Sequence, residues 1–151
     1  MKLLVLKIGR PKGSAYQDLV NDFSRRCQAF GPIEHKLVPA RGGIERSTKA
    51  VVEILENQKS SVIIGLDERG APFTSVDLAK RISSWRENPS VKMLTFVVGG
   101  PYGLTDAVRS KFCFTWSLAS GVYPSDLAWV MVWEQLYRAN SILAKTPYHH
   151  E

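Results

Sequence analysis

Two glycine-bearing loops and an aromatic–histidine tail carry the residues of this 151-residue chain whose types and spacing could do chemistry. Gly99-Gly100-Pro101-Tyr102-Gly103-Leu104 follows the β-like run Leu94-Thr95-Phe96-Val97-Val98, and Ala119-Ser120-Gly121-Val122-Tyr123-Pro124 follows the apolar run 112–118. In an open parallel sheet, ligands bind outside the carboxyl ends of the strands. Small residues in loops there let backbone N–H and C=O groups approach a ligand closely, although glycines can also serve only to make tight turns. Leu66-Asp67 marks a third such strand end. Neither G-x-G-x-x-G nor a Walker lysine is present, which argues against a dinucleotide or nucleoside-triphosphate site. The chain closes on Pro147-Tyr148-His149-His150-Glu151. A histidine or tyrosine beside a reacting group could accept its proton or polarise it; the same residues could also form a solvated tail.

The formal charge of +6 and a pI near 9.5 suit a polyanionic partner, because neutralised phosphates release counterions. Arg10 and Lys12 follow the first strand and Arg41 the second, at the same sheet edge as the glycine loops, a placement suited to positioning phosphates. Arg138 and Lys145 are further candidates, and any one of these cations could be plain solvated surface charge. Cys27 and Cys113 form no C-x-x-C pair and read as reduced thiols rather than a zinc site or disulfide. The apolar start is broken at Lys7 with no cleavage site after it, so it reads as a strand rather than a signal peptide. No apolar run approaches membrane-spanning length, and a cytoplasmic protein is expected.

Strand and helix patterns alternate, with helices expected over 16–30, 44–57, from an N-cap at Ser75 to about Glu87, a short one over 105–111, and one over 125–144. Strands are expected over 2–8, 33–38, 61–66, 91–98 and 112–118, with a turn at Asp67-Glu68-Arg69-Gly70. This alternation predicts one α/β domain over 1–151, a mostly parallel sheet with helices on both faces. Residues 127–133, Leu-Ala-Trp-Val-Met-Val-Trp, are apolar all round a helix. One face would lie on the sheet, and a homodimer built on Trp129 and Trp133 is the expected cover for the other.

The two loops, the Glu134-Gln135-Leu136-Tyr137-Arg138-Ala139 segment and the Pro-Tyr-His ending together resemble the small knotted SPOUT methyltransferases, most of all the ribosomal large-subunit methyltransferase H family. The resemblance runs over essentially the whole chain. It implies a C-terminal trefoil knot, a homodimer and S-adenosyl-L-methionine as cofactor, with methyl transfer to N3 of a pseudouridine in large-subunit ribosomal RNA. Leu66, Gly100 and Ser120, Gly121, Val122, Tyr123, Pro124 and Ser125 match the family's cofactor positions. Tyr148 and His149 match its catalytic tail at a site composed by two subunits. Arg10, Lys12, Arg41 and Arg138 would then contact RNA. S-adenosylmethionine carries no phosphate, which agrees with the missing phosphate motifs. Four positions depart from the family. Ser125 stands where a histidine is usual, Trp129 and His150 where arginines are usual, and Trp133 where a small residue is usual. The alternative function is a catalytically weakened homologue acting as a ribosome- or RNA-binding module.

Overall fold

The computed structural model describes residues 1–150. Strands and helices alternate as β1 (Lys2–Ile8), α1 (Ser14–Cys27), β2 (Ile33–Val38), α2 (Gly43–Glu56), β3 (Ser61–Pro72), α3 (Ser75–Glu87), β4 (Met93–Val98), α4 (Asp106–Arg109), β5 (Phe114–Ser117) and α5 (Ser125–Leu143). The sheet has the order β2-β1-β4-β3-β5 with every pairing parallel. Burial along β1 is continuous from Leu3 to Ile8, as expected of a strand covered on both faces. Leu3, Val5, Phe96 and Ile64 pack with side chains of α1, α3 and α5. Leu6, Ile8, Val97 and Ile63 pack with α2 and α4 on the other side. The expected α/β architecture with helices on both faces is what the chain forms.

Two local readings change. Residues 67–70 are not a turn that ends the third strand: β3 continues to Pro72, and Leu66 and Ala71 both stand opposite Trp116 of β5 across an irregularity. Thr74, not Ser75, caps α3 through a capping box, its hydroxyl accepting from the Asp77 N–H at 3.1 Å while the Asp77 carboxylate accepts from Thr74 N–H at 3.3 Å. Ser75 instead donates to Gln135 of α5. Ser125 makes no side-chain cap either. Pro124 is the cap residue of α5, and Asp126 complements the helix dipole from the first turn.

The largest correction concerns Trp129 and Trp133. Both are 0 % exposed within a single subunit, so they are not the surface on which two copies meet. Helix α5 packs against the sheet and both α1 and α3, and the edge-strand ring of His35 lies edge-on to both indoles at centroid distances of 6.1 and 6.2 Å. A helix flanked by two others needs no second copy to bury most of its circumference. Leu127 is the large apolar residue of α5 left exposed. No helix is long and apolar enough to cross a membrane among the described residues.

Candidate functional site

Register places four residues in one row across the carboxyl edge of the sheet. Lys7 of β1 pairs with Val98 of β4, Val98 with Leu66 of β3, and Leu66 with Trp116 of β5. All four line a cavity of about 480 Å³, within the usual range for small-molecule sites. The loops leaving β4 and β5 form its walls. Of the residues singled out from the sequence, Leu66, Gly100, Gly121, Val122, Tyr123, Pro124, Ser125, Arg10 and Lys12 line it. Ser120 does not, although its neighbours Ala119 and Gly121 do. Arg41 is exposed and lies off the cavity, one strand further out on the same sheet edge.

The two loop glycines differ. A Cβ on Gly100 would stand 3.0 Å from Ile8 Cγ2 and 3.2 Å from Ile8 O, so this loop rests against the end of β1 at glycine distance. A Cβ on Gly121 would meet nothing within 4 Å. The first glycine is demanded by protein packing; the second leaves its space free. Val122 is 82 % exposed, and with Tyr123 it gives the rim an apolar edge, with Leu127 exposed nearby in the first turn of α5.

Sequence reasoning missed the ionic frame of the cavity. Asp67 accepts from Arg69 Nε at 3.0 Å and from Arg109 Nη2 at 2.5 Å, while Arg109 also donates to the Leu104 carbonyl. The staple joins the middle of β3, through Arg109 of α4, to the loop after β4. Hydrogen bonds from Arg69, reinforced by Arg109 against the opposing cost of burial, hold the Asp67 carboxyl well below the usual carboxylate range. A depressed folded-state value means stability that is present above the unfolded value of about 3.9 and lost as pH falls through the folded one. Asp67→Asn should therefore lower the urea midpoint at pH 7, with the deficit shrinking as pH is taken below about 3.9. An equal deficit at all pH values would show that the carboxylate charge is not what holds the loop. Burial pushes the Cys27 thiol up to about 12, leaving it unreactive at neutral pH.

The tail lies elsewhere. Tyr148 donates to Glu134 Oε1 at 3.1 Å and packs on Tyr137 with ring centroids 4.6 Å apart. His149 Nδ1 is 3.4 Å from Arg138 Nη1, and Arg138 forks onto Glu134 at 2.9 and 2.6 Å. Neither Tyr148, His149 nor Arg138 lines the cavity. Arg138, a candidate for RNA contact, is engaged in this chain by Glu134 and the Tyr148 ring. From Ser125 at the cavity to Arg138, helix α5 rises about 20 Å. One chain alone does not bring its tail to its own cavity.

The family described as "Predicted SPOUT methyltransferase" matches residues 1–149. The chain belongs to that family. Curated relatives extend the likeness over full length. "Ribosomal RNA large subunit methyltransferase H" of Gloeobacter violaceus is 35 % identical, covering 99 % of both chains. The protein of the same name from Maridesulfovibrio salexigens is 33 % identical over 99 % of this chain and 98 % of its own. Among solved structures, a probable methylase family protein from Haemophilus influenzae Rd KW20 shares the fold, with a TM-score of 0.59 at 14 % identity. The match covers 99 % of this chain and 70 % of that one.

Against this family background the departures acquire a structural meaning. Trp129 is a core residue and offers nothing to the cavity; the buried cation beside it is Lys7, whose Nζ lies 5.9 Å from the indole. Lys7 itself escaped the sequence reading because a lysine late in an apolar strand looks like an interruption at a strand end. What distinguishes it is that it pairs with Asp126, far away in the chain.

Proposed function

We propose that this chain is an S-adenosylmethionine-dependent methyltransferase of large-subunit ribosomal RNA, acting on N3 of a pseudouridine. The observation that carries the reading is the cavity: it lies at the carboxyl edge of four parallel strands, is walled by two small-residue loops, and has Arg10 and Lys12 on its rim. The names of the full-length relatives support the substrate class.

The residues present fit S-adenosylmethionine. The free space at Gly121 admits a ligand to backbone groups, and the exposed Glu68 among the lining residues suits a cationic sulfonium. Leu66, Gly100 and the segment from Ser120 to Ser125 would hold it. Bound there, it supplies an electrophilic methyl group. The chain must then place N3 in line behind that methyl and remove the N3 proton. In this reading His149 accepts the proton. Tyr148, whose hydroxyl donates to Glu134 Oε1, is the tail's second hydrogen-bonding group and would polarise the base.

Because the tail lies at the far end of α5 from its own cavity, the composite site requires a homodimer in which each tail serves the other subunit. The exposed Val122, Tyr123 and Leu127 beside the cavity are the surface that suits the second copy. One domain spanning 1–151, the C-terminal trefoil knot, a cytoplasmic location and action on the ribosome belong to the same reading.

A second reading, a weakened homologue that binds ribosomes without transferring methyl groups, is favoured by one observation. The cation and imidazole usual at positions 129 and 125 are replaced by a buried indole and a serine. Removal of 148–151 separates the two. As an enzyme, the truncated protein should lose transfer to purified ribosomes by about a hundredfold or more, with S-adenosylmethionine affinity by calorimetry little changed. Intact protein that binds the cofactor and ribosomes yet transfers nothing would select the second reading. Transfer undiminished by the deletion would remove the tail from the site.

A further inference from the structure

Lys7 is a buried ammonium in an apolar strand, its side chain only 1 % exposed. Such a charge is costly to bury unless it is paired and its protons are hydrogen-bonded. Here both conditions are met: Nζ lies 2.8 Å from Asp126 Oδ1 and donates to the carbonyls of Ile8 at 3.3 Å and Gly9 at 3.2 Å. The second oxygen of the same carboxylate, Asp126 Oδ2, accepts the backbone N–H of Lys12 at 2.9 Å. One carboxylate in the first turn of α5 thus holds both ends of segment 9–12. Gly9 begins that segment at φ +86, a left-handed conformation that turns the chain out of the sheet, and its N–H donates to Val38 O. Ile8 is tied on both sides: its carbonyl accepts from Lys7, and its Cγ2 and carbonyl oxygen stand 3.0 and 3.2 Å from where a Cβ on Gly100 would lie.

A buried pair of this kind gives little net stability over an apolar pair of similar volume. What it does supply is a fixed relation between α5, the end of β1 and the segment that carries Arg10 and Lys12. Both of those side chains are exposed on the cavity rim, and neither makes an ion pair among the described residues. Their direction therefore depends on the backbone that bears them. We infer that Lys7 and Asp126 are positioning residues that lock segment 9–12 against the Gly100 loop, so that Arg10 and Lys12 meet the phosphates of the RNA substrate in one register. The inference rests on the methyltransferase reading for the identity of the polyanion, but not for the lock itself.

Three variants test it: Lys7→Met, Asp126→Ala and the double replacement. Each single change leaves a buried polar group without its partner and should lower Tm; the double change removes both and should recover much of that loss. In the double variant, amide exchange at Lys12 should remain accelerated by about tenfold or more. Its KM for purified ribosomes should stay about tenfold above wild type, a larger change than any in kcat. Recovery of KM together with Tm would reduce the pair to a structural contact and overturn the proposal. Fast Lys12 exchange with an unchanged KM would also overturn it, because the segment would be free and its register immaterial. Should the wild-type protein transfer no methyl group, the methyltransferase reading fails on that result alone. Lys12 exchange and the Kd for ribosomes, expected to weaken about tenfold in the double variant, then decide the lock separately.

Discussion

Glutamate in place of Trp133 should unfold the subunit. The indole is 0 % exposed and belongs to the core that α1, α3 and α5 form on the sheet. Removing a buried tryptophan side chain costs about 3–5 kcal/mol through lost transfer energy and the space left behind. A carboxylate at that depth adds several kcal/mol more unless it takes up a proton. Together these rival the whole stability of a domain, about 5–15 kcal/mol. A urea titration of the variant at pH 7 should show no cooperative transition, and sedimentation should show expanded or aggregated chain. A folded Trp133→Glu protein, in any oligomeric state, would mean that this indole does not sit in the core. Leu127→Glu is the contrasting change. Leu127 is 38 % exposed, so the subunit should stay folded, and a homodimer that uses the cavity rim should fall apart into monomers. A folded dimer that survives this change would move the interface away from α5's first turn.

Valine at either loop glycine should abolish cofactor binding, for two different reasons. At Gly100, the Cβ alone would come to 3.0 Å from Ile8 Cγ2 and 3.2 Å from its carbonyl oxygen, and the two methyls of valine enlarge the conflict. Ile8 or the loop must give by a few tenths of an ångström for the Cβ and more for the methyls, which moves the backbone groups of Gly100 that line the cavity. At Gly121 no protein atom lies within 4 Å of the added Cβ, so the fold has no reason to object. Lost affinity in Gly121→Val with an unchanged Tm would report contact with the ligand itself. Calorimetry with S-adenosylmethionine reads both variants. Undiminished affinity in Gly121→Val would place the ligand away from the β5 loop, and undiminished affinity in Gly100→Val would remove the β4 loop from the site.

The order and type of the elements were legible in the sequence because each carries its own local signal. Strands such as β1 and β4 are apolar runs, and α1 and α2 bury Val20, Cys27, Val51 and Leu55 at helical spacing. The loops that wall the cavity were legible for a related reason: glycines directly after apolar strands mark carboxyl ends of a parallel sheet. Cap positions were displaced by one residue where adjacent groups compete. Thr74 and Ser75 are both good caps, and only the reciprocal bond from Asp77 chooses between them.

The sequence by itself determined the fold class, the two loops, the basic character of their surroundings and the family to which they belong. Only the tertiary structure decided which partners the buried groups take. The apolar circumference of α5 signalled burial without saying by what, and the answer is α1 and α3 within the same chain rather than a second copy. Lys7 and Asp126 are far apart in the chain, as are Asp67 and Arg109, and nothing local to any of the four announces its partner. Their pairing follows from the strand order β2-β1-β4-β3-β5, which brings the ends of β1, β4 and β3 together beneath the first turn of α5. The tail showed the same limit. Tyr148 and His149 are legible as chemically capable residues, but their place at the far end of α5 is set by contacts with Glu134, Tyr137 and Arg138 made where the tail folds back along its own helix. Periodicity reports how deeply a side chain is buried; which charge meets which is fixed by topology, because ion pairs and composite sites join residues that only the folded sheet makes neighbours.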